Sequence, residues 1–332
     1  MNILIVANHF AVCSARYAAD AFTRLGHTVR HVGTPMGRNI WGIEVPEEYV
    51  WEPEDADWTS NAANGWDVYD DIQFDLIIVM DSDPEVLRWV GEWQDIRHFA
   101  KETIVWGVDN HCRDYRRPYF DHYFLAHKSV SVMTWEPRTK AKKQPGDIVW
   151  ADELEPPDMT WLPVGYDPVA FPPSPIPWNE REYDVCCLGV MYPKRWELVN
   201  AMRAAGLKVL AGSGLVYEAY RDAYHNSRVA LVSSFNGDLP IRLFEGAGMG
   251  CVPLHDPIAD LALLGDDPGA LYTTVEEAVN QAKMIARTPV HPGTAERGAA
   301  SCVAWAQSHT WDARAQVIID WLSESPKGKA RS

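Results

Sequence analysis

The residue types best suited to chemistry stand together in RLFEGAGMGCVPL, from Arg242 to Leu254. The pattern predicts a helix of small residues that ends at Gly250 and is followed by a buried strand. A carboxylate at Glu245 can accept two hydrogen bonds from a ribose diol, and Gly246 lets a nucleotide approach the backbone. The alternative is structural: small residues let the helix pack on a sheet, and Glu245 is only favourable near the positive end of that helix.

A second candidate is GVMYPKRW, residues 189–196, in which the glycine turn at Gly189 follows a predicted strand. Lys194 and Arg195 then stand at the start of a helix. Departure of a nucleoside diphosphate builds up negative charge, and without a metal ion cationic side chains and helix N-terminal amides must offset it. The alternative is that both basic residues are simply solvated on a helix surface.

A third candidate is GVDNHC, residues 107–112, in which Asp109 and His111 follow a predicted strand. In doubly wound sheets ligands bind outside the carboxyl ends of the strands, so either side chain is placed to contact sugar hydroxyls. A lone histidine at a strand end is nevertheless more often structural than catalytic.

Signals for metals and cofactors are weak. The sequence DSD at 81–83 resembles a metal-binding carboxylate pair, but Asp83 precedes Pro84, and a turn or helix cap explains both aspartates. The first strand leads into NHFAVCSA, which has no GxGxxG and argues against NAD. The six cysteines have neither metal-site spacing nor a paired framework, so we expect buried, reduced thiols. The sequence predicts no metal and no cofactor.

The elements that position these residues alternate between strand and helix. In the N-terminal half we predict a βαβ unit over residues 2–33, a helix at 85–100, and strands at 74–80, 103–109, 121–126 and 130–134. In the C-terminal half we predict helices at 195–205, 217–226 and 242–249 between strands at 183–189, 207–212, 228–234 and 251–256. This order is typical of two doubly wound α/β domains.

A proline-rich stretch separates the two halves. PVGYDPVAFPPSPIP, residues 163–177, holds six prolines, which remove backbone donors and favour an extended chain. We therefore predict a linker at 163–180, an N-terminal domain at 1–165 and a C-terminal domain at 181–308. The closing stretch HTWDARAQVIIDWL has helical periodicity.

An irregular segment between Glu44 and Asp75 carries eleven acidic residues together with Trp51, Trp58 and Trp66. It is too long for an ordinary connection in a compact domain. One interpretation is an acceptor-binding loop, since indole faces stack well on sugars. The other is a solvated acidic excursion that its tryptophans anchor.

Length and charge narrow the classes of protein. A chain of 332 residues exceeds what one compact core usually holds. No stretch reaches the roughly 20 apolar residues of a membrane helix, and MNILIVANHF lacks the flank and cleavage site of a signal peptide, so we expect a cytoplasmic protein without a membrane span. A net charge of −16 argues against a nucleic-acid partner, unless Arg113, Arg116, Arg117 and the run 138–143 form a basic track.

Taken in order, LPVGYDPVAF, RLFEGAGMGCVPL and HTWDARAQVIIDWL resemble the GT-B glycosyltransferases, most nearly the CgeB-type, spore-maturation-like group. The resemblance covers about residues 1–322 and is weakest at 44–75. It implies two Rossmann-like domains that face a central cleft, with the helix at 309–323 returning to the N-terminal domain. It also implies a nucleotide-sugar donor, with a UDP-sugar favoured, bound mainly by the C-terminal domain.

The resemblance further implies roles for individual residues. Glu245 matches the glutamate that holds the donor ribose, and His111 looks like the histidine that reaches the donor sugar. Lys194 and Arg195 match basic positions after the first strand of the C-terminal domain, and Arg242 fits an arginine that serves the diphosphate.

The sequence departs from the family pattern at one position. Related retaining enzymes often have a second glutamate eight positions before the ribose-binding one, whereas this chain has Gly237 there, followed by Asp238. We expect either that Asp238 substitutes or that sugar recognition differs. The resemblance also places the base against the stretch from Gly212 to Tyr220.

We therefore predict a retaining, metal-independent enzyme similar to hexosyltransferases that moves a sugar from a nucleotide-sugar to an acceptor. Protein, polysaccharide, a lipid headgroup and a nucleic-acid base remain open as acceptors. Two alternatives stand beside it. A nucleotide-sugar epimerase or hydrolase would convert the donor without an acceptor, and a non-catalytic nucleotide-sugar-binding protein would release no nucleotide.

Overall fold

The structure is a computed structural model that describes residues 1–9, 12–33, 39–40, 43–44, 47, 50–51, 73–80, 99–112, 120–132, 158–287 and 294–325. The chain divides into two compact units. Unit 1 comprises residues 1–163 and 314–332, and unit 2 comprises residues 164–313.

Unit 1 is built on a six-stranded parallel sheet. Its strands are β1 (Asn2–Val6), β2 (Thr28–Val32), β5 (Phe74–Val79), β6 (Ala100–Gly107), β7 (His122–Leu125) and β8 (Met159–Trp161). They lie in the order β2-β1-β5-β6-β7-β8. Helix α1 (Ser14–Arg24) joins β1 to β2, and the short strands β3 (Asn39–Ile40) and β4 (Ile43–Glu44) form an antiparallel pair.

The continuous apolar run of β1 follows from its place in this sheet. Strand β1 pairs with β2 on one side and β5 on the other, and residues from Ile3 to Val6 are fully buried. A strand covered on both faces has no polar side, which is why the sequence shows no alternation. Strand β2 lies on one side of β1, and β5, the next strand of this sheet along the chain, lies on the other side. The topological switch point of unit 1 therefore lies between β1 and β5.

Unit 2 holds a second parallel sheet and most of the helices in the described parts of the chain. Its strands are β9 (Tyr183–Leu188), β10 (Val209–Gly212), β11 (Ser227–Val232), β12 (Val252–His255) and β13 (Ala270–Leu271), in the order β10-β9-β11-β12-β13. Its helices are α2 (Pro193–Ala204), α3 (Tyr217–His225), α4 (Ile241–Gly248), α5 (Val275–Arg287) and α6 (Thr294–Gln307), and α7 (Trp311–Glu324) begins here and continues into unit 1.

The strand order of unit 2 fixes where its helices lie. Strand β10 lies on one side of β9 and β11 on the other, so the connections β9 to β10 and β10 to β11 run in opposite directions across the sheet. Because such crossovers are right-handed, α2 and α3 cover opposite faces of the sheet. Helix α2 packs with α5, and α4 packs with α6. The switch point of unit 2 lies between β9 and β11.

The proline-rich stretch is packed on unit 2 rather than extended between the units. Phe171 is buried, the Ser174 hydroxyl donates to the carbonyl of His225 at 3.0 Å, and the Ser174 amide donates to the carbonyl of Met249 at 3.2 Å. Apolar side chains within the stretch therefore draw it onto the domain. The division between unit 1 and unit 2 falls between Pro163 and Val164.

The two ends of unit 2 lie side by side. Tyr166 forms a parallel bridge with Thr310, its amide donates to the carbonyl of His309 at 3.2 Å, and its carbonyl accepts from Trp311 at 3.1 Å. A β-carbon at Gly165 would come within 2.7 Å of the Thr310 carbonyl carbon, so glycine is needed where the two segments meet.

The strand predicted at 130–134 is wrong for the residues that can be compared. Residues 130–132 run from the end of a turn into an irregular bend and form no strand, and 133–134 lie outside the described residues. The Asn110 side chain donates to the carbonyl of His127 at 2.6 Å and to the hydroxyl of Ser131 at 2.8 Å, which holds this stretch as a loop. The helix predicted at 85–100 lies almost entirely outside the described residues.

No helix within the described parts of the chain is long and apolar enough to cross a membrane. The six cysteines form no disulfide, and four of them are buried, namely Cys186, Cys187, Cys251 and Cys302. Cys13 is partly exposed and Cys112 is exposed, so the expectation of buried thiols holds for four of the six.

Candidate functional site

The candidate site lies in unit 2, at the carboxyl edge of its sheet between β9 and β11. Gly189 follows β9, and Ser233 follows β11. In open α/β sheets ligands bind at such a switch point, where neighbouring loops diverge and leave a crevice. Helices α2 and α4, which carry sequence-predicted site residues, both begin at this edge.

Gly189 and Arg242 are in direct contact. Gly189 has a φ of +105°, and a β-carbon there would lie 2.6 Å from Cζ and 2.7 Å from Nε of Arg242. The guanidinium of Arg242 makes no hydrogen bond or ion pair with any residue that the structure describes. Burial lowers the pKa of Arg242, but the nearby Tyr220, Tyr224 and Glu245 groups raise it by more, so the net shift is upward. Arg242 therefore stays protonated and carries a positive charge at the switch point.

Arg195 ties the two loops of the switch point together. It is only 6% exposed, and it donates to the carbonyls of Val190 and Ser233, both at 2.7 Å. Its guanidinium also lies 5.2 Å from the ring centre of Tyr192. Burial, and then the charge of Arg242, lower the pKa of Arg195. Arg195 therefore holds the loops as well as contributing positive charge.

Lys194 is held by a carboxylate from the other side of the crevice. Its Nζ lies 2.5 Å from Oδ2 of Asp256, the residue that follows β12. The Oδ1 atom of Asp256 accepts from the amide of Ser234 at 3.0 Å. The lysine side chain is half exposed while the aspartate is buried, so the ammonium group remains open to a ligand on one side.

Glu245 is buried beside two tyrosines. Its Oε2 accepts from the hydroxyl of Tyr220 at 2.5 Å, and the hydroxyl of Tyr224 lies 3.4 Å from that of Tyr220. Burial raises the pKa of Glu245, while Tyr220 and the charge of Arg242 act in the opposite direction. Oε1 makes no hydrogen bond to the described residues, so one oxygen remains for a ligand hydroxyl.

Gly246 serves packing rather than close approach of a ligand. A β-carbon there would lie 2.7 Å from Cβ of Ala230 on β11 and 3.3 Å from the ring of Tyr224 on α3. Gly248 is likewise pressed against the ring of Tyr166. The small residues of α4 thus follow the structural alternative, because they let the helix lie close to its sheet and to α3.

Asp238 fixes its own loop. Its Oδ1 accepts from the amides of Phe235 at 2.6 Å and Asn236 at 3.4 Å, across a turn in which Gly237 has a φ of +79°. The carboxylate is therefore engaged in loop structure at the position where we expected sugar recognition. At the far side of β9, the carbonyl of Gly212 accepts from the amide of Gly189, and a β-carbon at Gly212 would meet nothing within 4 Å.

In unit 1, Asp109 and His111 lie in the turn after β6, at the carboxyl edge of that sheet. The ring of His111 meets the ring of His127 edge to face at 4.8 Å, and its buried Nδ1 has no hydrogen-bond partner among the residues that the structure describes. The residue that shapes this turn is Asn110, which is fully buried. Sequence reasoning missed Asn110, although an amide at the end of a buried strand is a signal of loop anchoring.

A second cluster in unit 1 joins His9, His31 and Trp51. Nε2 of His9 lies 3.0 Å from Nδ1 of His31, and Trp51 lies 4.3 Å from the first ring and 4.8 Å from the second. Burial and then the neighbouring ring lower the pKa of His9 to about 3, and burial and then Arg16 lower that of His31 to about 4. Trp51 thus lies near the carboxyl end of β1. Trp58, Trp66 and the DSD sequence lie outside the described residues.

Comparison with known proteins agrees with this architecture. Residues 176–320 match the sequence model of a family described as glycosyl transferase-like. A search of curated proteins gives no significant match.

Solved structures extend the likeness to nearly the whole chain. An alpha-glucosyltransferase in complex with UDP-glucose and DNA containing an abasic site is 11% identical, with a TM-score of 0.66 over 98% of this chain and 100% of that one. HepE from Anabaena, in complex with UDP and glucose, is 11% identical with a TM-score of 0.62 over 98% and 100%. The catalytic domain of starch synthase IV from Arabidopsis thaliana, bound to ADP and acarbose, is 10% identical with a TM-score of 0.61 over 97% and 98%.

Two parallel-sheet Rossmann-like units, matched over almost the full chain by such structures, define the GT-B fold. The stretch that carries the glycosyl transferase-like sequence pattern covers most of unit 2 and therefore includes the switch point with Gly189, Arg242 and Glu245.

Proposed function

We propose that this protein is a glycosyltransferase that takes a sugar from a nucleotide-sugar, with a UDP-sugar favoured. The observation that carries the proposal is Arg242, a cation at the switch point of unit 2 that lies against Gly189 and has no ion-pair partner among the described residues. A guanidinium in that position matches the planar, bidentate geometry of phosphate oxygens. UDP-glucose, UDP and ADP are bound by the structural neighbours named above.

The charges around Arg242 suit a departing diphosphate. The ammonium group of Lys194 forms an ion pair with Asp256. The guanidinium of Arg195, which binds the carbonyl of Ser233, adds positive charge at the same crevice. As the bond from the sugar to the diphosphate breaks, negative charge grows on the phosphate oxygens, and fixed cations in a buried crevice stabilise that charge most strongly. We assign the diphosphate to Arg242 and Lys194, and the donor ribose to the free Oε1 of Glu245.

We further infer transfer with retention of configuration. The acceptor oxygen forms a bond to the anomeric carbon on the face from which the diphosphate departs. The bonding pair leaves with the diphosphate, and a phosphate oxygen takes the proton of the acceptor hydroxyl. This step needs no nucleophile from the protein, and positioning supplies much of the rate. The family resemblance assigns His111 to the donor sugar, and Asp109 and Trp51 are candidates for acceptor binding.

The finer assignments belong to the same proposal. The order of motifs supports membership of the CgeB-type group, and the cationic residues of the crevice support a reaction that needs neither a metal ion nor a cofactor. Six thiols without a disulfide fit the reducing cytoplasm. A protein, glycan or other hydroxyl-bearing molecule would be the acceptor.

Thermal unfolding against UDP, GDP, ADP, TDP and CMP, with and without EDTA, tests the proposal. A ligand at about 100 times its dissociation constant adds roughly 2.7 kcal/mol of stability. We expect one nucleoside diphosphate to stabilise the protein in EDTA and Arg242→Gln to remove the effect. Arg203→Gln is the matched control, since it alters an exposed arginine of α2 whose guanidinium, among the described residues, hydrogen-bonds only the carbonyl of Val209. Absence of any nucleotide response in the wild type would overturn the proposal.

A further inference from the structure

An aromatic pair stands beside the cationic crevice of unit 2. The rings of Tyr192 and Phe235 are 4.7 Å apart and inclined at 34°. Tyr192 precedes α2, and Phe235 follows β11, so each side of the switch point supplies one ring. Phe235 is 58% exposed, an unusual position for a phenylalanine next to a cluster of charges.

The exposed ring is held in place by its own loop. The amide of Phe235 donates to Oδ1 of Asp238 at 2.6 Å, and Gly237 allows the turn that brings the carboxylate back to it. Arg195 fixes the facing ring, since its guanidinium lies over Tyr192 and binds the carbonyl of Val190. An apolar surface that is kept exposed by dedicated contacts is typical of a binding surface.

A row of neighbouring residues links the pair to the proposed donor site. Charge interactions join Glu245 to Arg242 and Arg242 to Arg195. Close approaches join Arg242 to Gly189, Arg195 to Tyr192 and Tyr192 to Phe235. Glu245 lies on the α3 face of the sheet beside Tyr220, whereas Tyr192 leads into α2 on the opposite face. The cations stand between these two ends.

We propose that Phe235 and Tyr192 form the surface on which the transferred sugar of the donor stacks, which makes Phe235 a specificity-determining residue. The inference rests on the proposed function. If ribose binds at Glu245 and the diphosphate at Arg242, the group on the far side of the diphosphate reaches the aromatic pair. The C–H bonds on one face of a pyranose carry partial positive charge and meet the negative face of an aromatic ring. Because Asp238 is engaged by its own loop, stacking takes the place of a carboxylate in recognising the sugar.

Binding of UDP, UDP-glucose and UDP-N-acetylglucosamine to wild type, Phe235→Ala and Phe235→Leu tests this inference by calorimetry. For Phe235→Ala we expect the dissociation constants of both UDP-sugars to rise about tenfold relative to that of UDP, the size of an aromatic contact. Phe235→Leu keeps apolar area without the ring and should lose nearly as much affinity for the UDP-sugars. Leu263→Ala, at an exposed leucine elsewhere in unit 2, is the control.

The outcomes separate the inference from the function on which it rests. Equal weakening of UDP and both UDP-sugars would mean that the pair serves the nucleotide, and unchanged binding would mean that it serves no ligand; either result overturns the inference alone. If the nucleotide panel selects another base, the same comparison uses that nucleotide and its glucose conjugate. A wild type that binds no nucleoside diphosphate overturns the proposed function and the inference with it. Thermal unfolding of each variant confirms that it is folded.

Discussion

The guanidinium of Arg242 lies in the space that a β-carbon at position 189 would enter, 2.6 Å from Cζ. Glycine at 189 is thus required twice, once for its φ of +105° and once for the arginine that covers it. The strand end and the helix are adapted to each other at this point. The identity of one residue therefore controls the position of the principal cation in the crevice.

We expect Gly189→Ala to displace Arg242 and to weaken binding of the nucleoside diphosphate at least tenfold, as loss of a charge-assisted contact does. Strain at a positive φ should also cost about 1–3 kcal/mol of stability. Gly265→Ala is the control, because Gly265 has a φ of +93° but a β-carbon there would meet nothing within 4 Å. Calorimetric titration of both variants gives the answer. Equal affinity in the two would show that displacement of Arg242 does not matter for binding.

Lys194 and Arg195 should separate into a ligand-binding and a structural role. Arg195→Gln leaves the carbonyls of Val190 and Ser233 without their buried donor, so we expect a loss of about 2–4 kcal/mol in the free energy of unfolding. Lys194→Gln removes a half-exposed ion pair, and we expect less than about 1 kcal/mol. Turnover should fall roughly 100-fold in Lys194→Gln if the ammonium group meets the diphosphate. Urea unfolding and donor turnover measure the two effects, and similar stability losses would contradict this division.

Glu245 should make stability depend on pH. Burial raises the pKa of Glu245 in the folded state, so its contribution is present below the ordinary value of 4.5 and is lost as pH rises through the raised value. Glu245→Gln should therefore gain stability relative to the wild type as pH rises from about 4 to about 8. Glu277→Gln is a control of opposite sign, because hydrogen bonds from Thr273 lower the pKa of the exposed Glu277. Urea unfolding of the variants and the wild type across this pH range measures the effect. A difference in the free energy of unfolding between Glu245→Gln and the wild type that does not change with pH would argue against a raised pKa.

His255 and Asp267 form a second pH-dependent pair. Burial lowers the pKa of His255, but Asp267 at 3.0 Å and the carbonyl of Asp256 raise it by more, so the net shift is upward. Hydrogen bonding to His255 lowers the pKa of Asp267. The pair is therefore fully formed above the ordinary pKa of Asp267 and below that of His255, and its contribution is lost as pH rises through the raised value or falls through the lowered one.

Asp267→Asn should lower the free energy of unfolding by about 1 kcal/mol at pH near 5.5, and the difference should shrink above pH of about 8. Asp266→Asn, at the neighbouring exposed aspartate, should change little at either pH. Urea unfolding of both variants at the two pH values measures this. A deficit in Asp267→Asn that persists unchanged at high pH would show that the charge of His255 is not involved.

Much of the fold could be predicted because buried parallel strands appear in the sequence as continuous apolar runs. The predicted strands at 74–80 and 228–234 differ from β5 and β11 by one or two residues at their ends. Helices α5 and α6 were missed. A capping box was present for α5, in which Thr274 accepts from the amide of Glu277 and the Glu277 carboxylate accepts in return, so that helix could have been found.

The sequence proposed candidate site residues, but it could not show which contacts each of them makes. Gly189 and Glu245 were proposed from residue type and position, and Arg242 was proposed from the family resemblance. That Arg195 is committed to structure could not be foreseen, because one of its partners is the carbonyl of Ser233, a backbone atom 38 residues away. The hydrogen bond from Tyr220 to Glu245 likewise joins residues that only the packing of α3 against α4 brings together.

The hydrogen-bonded meeting of Tyr166 with His309 and Trp311 has a consequence for how such a chain changes over time. Unit 2 is inserted between the two segments of unit 1, and its first and last residues lie side by side. A domain whose ends are neighbours can be inserted or exchanged without disturbing the domain that holds it. Replacing residues 164–313 by the corresponding module of another protein would require two splices within a few ångströms of each other. Under the proposed function, in which unit 2 binds the donor, recombination could exchange the donor specificity while the remainder of the chain is kept.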